Sequence, residues 1–383
     1  MIYLDNAATT RIRDEVLCET VAVLRDIYGN PSSMHSLGRT AHNVIEKARK
    51  RVLSAVNGDH AREIMFTGCG TESDNIAIRG MLPVNSGYHV ITSTIEHHAV
   101  INTLKYLERN GVEVTYIDPE RDGSVDPEKV RRSIKSNTRL ISIMFANNET
   151  GVLNPVREIG RIARENGIVF HTDAVQAAGH VKIDVNEMNI DMLSLSGHKF
   201  YAPKGVGALY VRDGIRLGKL MTGGAQERTM RPGTENTASI AALGLAIELS
   251  LNELESEACR ITRLRDMLIK GIYDSIPDVR LNGDNPDRLP GRVNMQFSGV
   301  SSDALLQSLD MEGIACSGGA ACSAGAQEAS HVLLAMGLSE TEAKSSLRFS
   351  IGRYNTEDEI AETVDSLKRN VERIRSISPL YKS

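Results

Sequence analysis

Residues 167–199, GIVFHTDAVQAAGHVKIDVNEMNIDMLSLSGHK, hold two short runs rich in aliphatic and β-branched side chains, GIVFHT (167–172) and DMLSLS (191–196). Each is followed by residues that can do chemistry: Asp173 and Gln176 after the first, Ser196, His198 and Lys199 around the end of the second. Runs of the same kind occur upstream at YHVITS (88–93), VEVTYI (112–117) and RLISIMF (139–145), with helical patterns such as PVREIGRIAREN (155–166) between several of them. Continuous apolar strands alternating with helices predict a mostly parallel sheet flanked by helices, an α/β fold. In such a sheet ligands bind beyond the carboxyl ends of the strands. Glu96 and His97 follow the first of these runs, and Asn147 and Asn148 follow RLISIMF. A lone His or Asp after a strand is usually a cap or a packing residue. Four strand ends that deliver His, Asn, Asp with Gln, and Ser with His-Lys point instead to one shared site.

Outward from that core, TAHNVIEKARKRVLSAVN (40–57) places Ala41, Val44, Ile45, Ala48, Val52 and Val56 at helical spacing, with Gly58 as the expected stop. A long helical pattern starts near residue 238 and continues to about 272. We place a domain boundary inside it: residues 12–256 form a large domain, and residues 1–11 with 257–383 form a smaller α+β domain. A chain of 383 residues is long enough for two such cores. Charged residues make up 24% with a net charge of −5 and no block of one sign, which argues against nucleic-acid or anionic-membrane partners. Aromatics are 4% and Trp is absent, so aliphatic side chains and Met must fill the interior. The start, MIYLDNAATT, has neither a basic region nor an apolar one, and no apolar stretch is long enough to span a bilayer. A cytoplasmic protein is expected.

The stretch GCGTESDN (68–75) is a glycine-rich turn opening a helix, whose free N–H groups and dipole suit a phosphate, with the Thr71 hydroxyl as a further donor. Alone, it is a common way into a helix. Lys199, followed by Pro203 and Gly205, would by itself be an ordinary surface lysine. Together with an aspartate and a phosphate site, a lysine meets the demands of pyridoxal 5′-phosphate: an amine for its aldehyde, a carboxylate for its ring nitrogen, and a flat group against the ring.

YLDNAATT, GNPSSMHSLGR, GTESDN, EHHAV, NNETG, HTDAVQAAG, SGHKFYAPKGVGALY, RPGTEN, ACSAGA and RFSIGR, in this order along nearly the whole chain, resemble the cysteine desulfurases of the NifS/IscS type. These are class-V aminotransferase relatives of fold type I. The resemblance implies Lys199 as the lysine that anchors the coenzyme and moves the α-proton of the substrate, and Asp173 as the partner of the pyridine nitrogen. It implies His97 as the ring stacked on the coenzyme, Gln176 at its phenolic oxygen and Asn148 beside it. Gly70, Thr71, Ser196 and His198 resemble the phosphate cradle, and Thr234 resembles the residue that reaches the phosphate of a neighbouring subunit, so a homodimer follows. Arg348 resembles the arginine that grips the substrate carboxylate, helped by Asn30; the planar guanidinium fork suits that task.

The same resemblance implies Cys322 as the nucleophile that takes sulfur from L-cysteine, leaves L-alanine, and carries a persulfide to an acceptor such as an iron–sulfur scaffold protein of the IscU/NifU kind. His97 or the substrate adduct is the expected proton acceptor for its thiol, which at a free pKa of about 8.5 is mostly protonated. The glycines and alanines around it predict a mobile tether over about 316–330. Cys316 stands where the family more often has serine. Other readings of the cysteines stay open: a metal clip completed by His331, a Cys316–Cys322 disulfide, or Cys322 as a transient ligand of a partner-held cluster. The five cysteines are scattered, unlike a disulfide framework. Cys69 is expected to pack as a small apolar residue, and Cys18 and Cys259 to lie in the core or an interface. Two further readings stand beside a desulfurase: another lyase or aminotransferase on the same fold, which would not need Cys322, and a non-catalytic sulfur-trafficking subunit.

Overall fold

The computed structural model describes residues 1–318, 329–377 and 381. Seven strands form the main sheet, in the order Ile64–Thr67, Gly207–Val211, Met192–Ser196, Val169–Asp173, Thr138–Ser142, His89–Ser93 and Glu113–Ile117. Gly207–Val211 is antiparallel to both of its neighbours, and the other pairings are parallel. Six strands therefore run one way, and their carboxyl ends share one edge. The five runs singled out from the sequence all lie in this sheet; Ile64–Thr67 and Gly207–Val211 were not among them.

Successive residues of a strand face opposite sides, and here both sides are covered. Ile64, Phe66, Ile91, Ile141, Phe170 and Leu193 pack into one apolar cluster that includes the helices Ser36–Val56, Val156–Glu165 and Thr237–Asn252. Met65, Val90, Leu140, Met192 and Leu209 pack on the other side, against Gly70–Met81 and His98–Glu108. A third cluster is separate. It joins the helices Leu254–Ser275, Ser302–Met311 and Glu357–Ile377 to a four-stranded antiparallel sheet in the order Ser317–Gly318, Ser346–Ser350, Arg292–Phe297, Val279–Leu281. Ile2 and Leu4 belong to this cluster, and Ile2–Tyr3 pairs with Ile314–Ala315. We propose that these clusters are the cores of a large and a small domain divided near residues 11 and 256.

Three expectations are corrected. The helical pattern beyond residue 238 is two helices, Thr237–Asn252 and Leu254–Ser275, bent by 74°; each packs on a different apolar cluster, so one straight rod cannot serve both. RLISIMF pairs with His89–Ser93 only as far as Ser142: the Ile143 and Phe145 N–H groups still donate to His171 O and Asp173 O at 3.2 and 2.9 Å, whereas the Met144 N–H goes to the Glu96 carboxyl at 2.9 Å. Of the two places expected for Cys18 and Cys259, the core is excluded, since both are exposed on this chain. The buried positions of Asp14–Asp26 are Val16 and Val23, and those of Leu254–Ser275 begin at Ile261; a residue two places away lies on another helix face. Cys322 and most of its predicted tether lie outside the described residues. Among the described residues no single helix is long and apolar enough to cross a membrane.

The segment that leads to Thr234 is tied down by a buried ion pair. Arg49 donates from Nη1 and Nη2 to the two Glu227 carboxylate oxygens at 2.8 Å each, and again from Nη1 to Ile64 O at 2.7 Å. Glu227 also accepts from the Phe66 N–H at 3.0 Å. Glu227, Arg228 and Thr229 all sit at positive φ (43°, 55° and 68°), at about 1 kcal/mol each, so this pairing must hold a backbone that would otherwise relax. Glu227→Ala leaves the buried Arg49 only the Glu46 carboxylate on its Nε side at 2.9 Å and takes both oxygens from its Nη groups. It should lower unfolding free energy by about 3 kcal/mol in urea titrations, while Arg49→Met with Glu227→Met should recover most of the loss.

Candidate active site

The cavity begins where Ile64–Thr67 ends. The chain turns through Cys69 and enters the helix Gly70–Met81. A Cβ at residue 70 would lie 2.6 Å from Val175 Cγ2, so only glycine lets the start of this helix approach the turn after Val169–Asp173. Glu72, in the first turn, is drawn back onto the Gly68 N–H at 2.6 Å and onto Arg231 Nε at 2.8 Å. The uncapped amides at the helix start and the Thr71 side chain border a cavity of about 260 Å³.

Nine of the predicted residues line this cavity. Gly70 and Thr71 come from the helix start, and His97 comes from the turn after His89–Ser93. Asn148 comes from the turn after Thr138–Ser142. Asp173 and Gln176 follow from the end of Val169–Asp173, and Ser196, His198 and Lys199 from the end of Met192–Ser196. Cys69 lines it too, so that thiol borders a cavity instead of filling a packed interior. Asn147 has another task. Its Oδ1 accepts from the Glu149 and Thr150 N–H groups at 2.9 and 3.0 Å, and its Nδ2 donates to Ile95 O at 3.1 Å. It staples the turn that presents Asn148.

Lys199 Nζ donates to the Ala7 and Ala8 carbonyls at 2.7 and 2.8 Å. His97 caps the helix His98–Glu108 with Nδ1, which accepts from the Ala99 N–H at 3.2 Å. Burial and the Lys199 charge push its pKa down to about 4. At neutral pH the ring is uncharged, and the occupied Nδ1 puts its proton on Nε2. Asp173 accepts from the Val175 N–H at 2.9 Å; burial pushes it up to about 6, against that bond and the Lys199 charge. It is a carboxylate at neutral pH. Ser196 Oγ is buried and has no hydrogen-bond partner among the described residues.

Arg348 does not line this cavity but lies beside it. It is buried, and it donates to Asn148 O at 3.3 Å and to Asp5 Oδ1 at 2.9 Å. Asn30 is exposed, its Oδ1 taken by the Ser32 N–H at 2.9 Å, and Thr234 is exposed. Neither lines the cavity of its own chain. His331 donates from Nε2 to the Glu96 carbonyl at 3.0 Å, and no group of three or more potential ligand side chains among the described residues is placed to hold a metal.

Sequence reasoning gave no role to four titratable groups around this site, of which it had named only Glu96. Asp74 lines the cavity and is pushed well above the carboxylate range by burial and by Asp173. Glu96, wholly buried, accepts from Ser93 Oγ at 2.5 Å and from the Met144 N–H at 2.9 Å; burial pushes it up to about 8. Glu149 accepts from Ser330 Oγ at 2.5 Å and is pushed up to about 7 by burial. Arg292 donates to Gln176 Oε1 at 2.8 Å. The three acids sit inside motifs quoted above, but their burial had no sequence signal; Arg292 sits in no motif.

Comparison with known proteins shows the family and the fold. Residues 2–362 match the model of the aminotransferase class-V family. The chain is 46% identical over 380 residues to a cysteine desulfurase IscS from Dictyoglomus turgidum, covering 99% of this chain and 96% of that protein. It is similar to the solved structure of a NifS-like protein, with a TM-score of 0.91 at 34% identity over 97% of this chain and 99% of that one. It is also similar to a structure described as SspA in complex with cysteine, with a TM-score of 0.83 at 38% identity over 93% and 100% of the two chains.

Glu96 offers a test of the buried charge pattern. Its pKa is about 8 in the folded chain and about 4.3 in an unfolded one, so between these values the native state binds the extra proton. Stability from this group is present below pH 4.3 and is lost as pH rises through 8, at about 1.4 kcal/mol per pH unit inside the window. Urea unfolding of Glu96→Gln from pH 5 to 8 should show that slope removed, leaving the variant more stable relative to wild type at pH 8 than at pH 5.

Proposed function

Because the chain belongs to the aminotransferase class-V family, we propose that it is a pyridoxal-phosphate-dependent cysteine desulfurase. It converts L-cysteine to L-alanine and passes the sulfur, as a Cys322 persulfide, to an iron–sulfur scaffold protein. The observation that carries this reading is the meeting of Lys199, Asp173, His97 and Gln176 in one cavity at the mouth of a helix N-terminus. The residues suit the coenzyme. Asp173 supplies a buried carboxylate for a ring nitrogen, and Ser196 Oγ and the amides after Gly70 supply donors for a phosphate. Thr234, exposed on its own chain, would complete the cradle of a second subunit, making the active form a homodimer. We place its work in the cytoplasm.

Bound pyridoxal phosphate supplies an electron sink that acidifies the α-proton of an amino acid. The protein does the rest. Asp173, ionised at neutral pH, favours a protonated ring nitrogen, which strengthens the sink. His97 offers a flat, uncharged ring, so it does not compete with Asp173 for charge. Lys199, held by two carbonyls at the end of its strand, would hold the coenzyme through its amine and is placed to move the α-proton. Arg348 holds the substrate carboxylate with a fork that is already oriented by Asp5 and the Asn148 carbonyl. The Cys322 thiolate attacks the substrate Sγ: an S–S bond forms, the Cβ–Sγ bond breaks, and the electron pair left on Cβ takes a proton to become the alanine methyl. The balance is L-cysteine plus thiol giving L-alanine plus persulfide, with no outside oxidant.

Incubation with L-cysteine and a thiol reductant should release sulfide and alanine in equal amounts. Cys322→Ala should keep the yellow coenzyme and lose at least about 1000-fold in sulfide release; undiminished release would reject Cys322 as the nucleophile. Lys199→Ala should make no alanine. Arg348→Lys should raise KM for L-cysteine about tenfold, because a point charge cannot hold both carboxylate oxygens, with the coenzyme absorption unchanged.

A further inference from the structure

Arg292 opens the strand Arg292–Phe297 of the small sheet and is 3% exposed. Its side chain reaches the cavity wall past Gly151. That glycine has φ +82°, and a Cβ there would lie 2.3 Å from Arg292 Cβ and 2.9 Å from its Cγ. Residue 151 therefore has to be glycine both for its backbone and for the passage of this arginine. At the far end Arg292 Nη2 donates to Gln176 Oε1 at 2.8 Å. An amide can be turned end for end with little change of shape, but arginine has only donors. The contact settles the orientation: Oε1 faces Arg292, and Nε2 faces away from it. One Nε2 hydrogen goes to Ala7 O at 3.1 Å, which leaves the other for a ligand, and Gln176 lines the cavity. Burial and the neighbouring Arg348 weaken the Arg292 charge only to about 10, so the guanidinium is positive at neutral pH. Its Nε has no hydrogen-bond partner among the described residues.

We propose that Arg292 is a positioning residue of the site: by gripping Oε1 it presents a Gln176 N–H, backed by a buried positive charge, to an anionic oxygen of the bound ligand. This rests on the coenzyme reading above, in which that oxygen is the phenolic one of pyridoxal phosphate. A cation and an aligned donor favour the ionised oxygen. Their loss should raise the pH at which the Lys199-linked coenzyme changes its visible absorption.

Arg292→Met keeps the length of the stem and removes every donor. In the loaded protein the midpoint of the visible pH titration should rise by about 1 unit. Gln176→Met should move it in the same direction, and the double variant should move it no further than the larger single change, since the two act through one contact. Arg292→Lys, with a charge but no fork, should fall between wild type and Arg292→Met. In the coenzyme-free protein labelled with ¹⁵N-glutamine, the Gln176 side-chain amide signals, assigned by their loss in Gln176→Met, should shift in Arg292→Met. Unmoved signals would overturn the proposal, and so would an unchanged titration midpoint or fully additive shifts. Should Arg292→Met fail to fold, the Arg292→Lys and Gln176→Met arms decide in the same way. A wild type that never turns yellow with the coenzyme would sink the coenzyme reading, and the amide signals would still judge the Arg292–Gln176 contact.

Discussion

The Ala7 carbonyl is the joint on which the site depends. It accepts from Lys199 Nζ at 2.7 Å and from Gln176 Nε2 at 3.1 Å. The Ala7 N–H, in turn, donates to Ser350 Oγ at 2.8 Å. Lys199 and Gln176 come from neighbouring strand ends of the seven-stranded sheet, whereas Ser350 ends the strand Ser346–Ser350 of the small sheet. One residue of the N-terminal segment thus links both sheets and both side chains. Thr10 strengthens the joint, with its N–H and its hydroxyl both donating to His198 O at 2.9 Å. The first ten residues are accordingly part of the site, although they contribute few side chains to it. Each such bond nets only about 1 kcal/mol; their value lies in fixing the amine of Lys199 and the amide of Gln176 at the same wall.

Burial then decides which groups carry charge. Glu96 and Asp74 are pushed up the scale, and His171 down to about 3, all chiefly by removal from water. His171 Nε2 and Asp74 Oδ1 approach to 3.7 Å, a spacing that reads as an ion pair. With the imidazole pushed down and the carboxyl pushed up, it is a contact between neutral groups. His171 is satisfied instead by the Ser142 and Ser194 hydroxyls at 2.9 and 3.0 Å. Uncharged neighbours leave the field at the cavity to Lys199, Asp173 and the two arginines. Arg348 has the Asp5 carboxylate at 2.9 Å, while Arg292 has an amide. The positive side of the site is thereby weighted toward an anionic ligand. In a low-dielectric setting such an imbalance is strong, and a ligand that supplies the missing negative charge relieves it.

Much of this was legible from the chain alone, because it rests on local rules. Apolar runs bounded by polar residues marked five strands of the main sheet, and the direction of a parallel sheet sends its carboxyl ends to one edge, so His97, Asn148, Asp173 and Lys199 could be placed together before any coordinates. Gly70 read as the entry to a helix, which it is. Other features had no local signature. Whether Asn147 or Asn148 faces the cavity depends on which side chain staples the turn. Whether Glu96 is neutral depends on its being sealed behind Met144. The break between Thr237–Asn252 and Leu254–Ser275 follows from two cores competing for one helical pattern. Arg292 meets Gln176 across 116 residues of sequence, at the seam between two separate sheets. Period and residue type determine strands, helices and the edge where chemistry gathers, since those depend on neighbours along the chain; burial, charge state and contacts across the seam were decided by the tertiary fold, since only packing removes water and brings distant segments within hydrogen-bond reach.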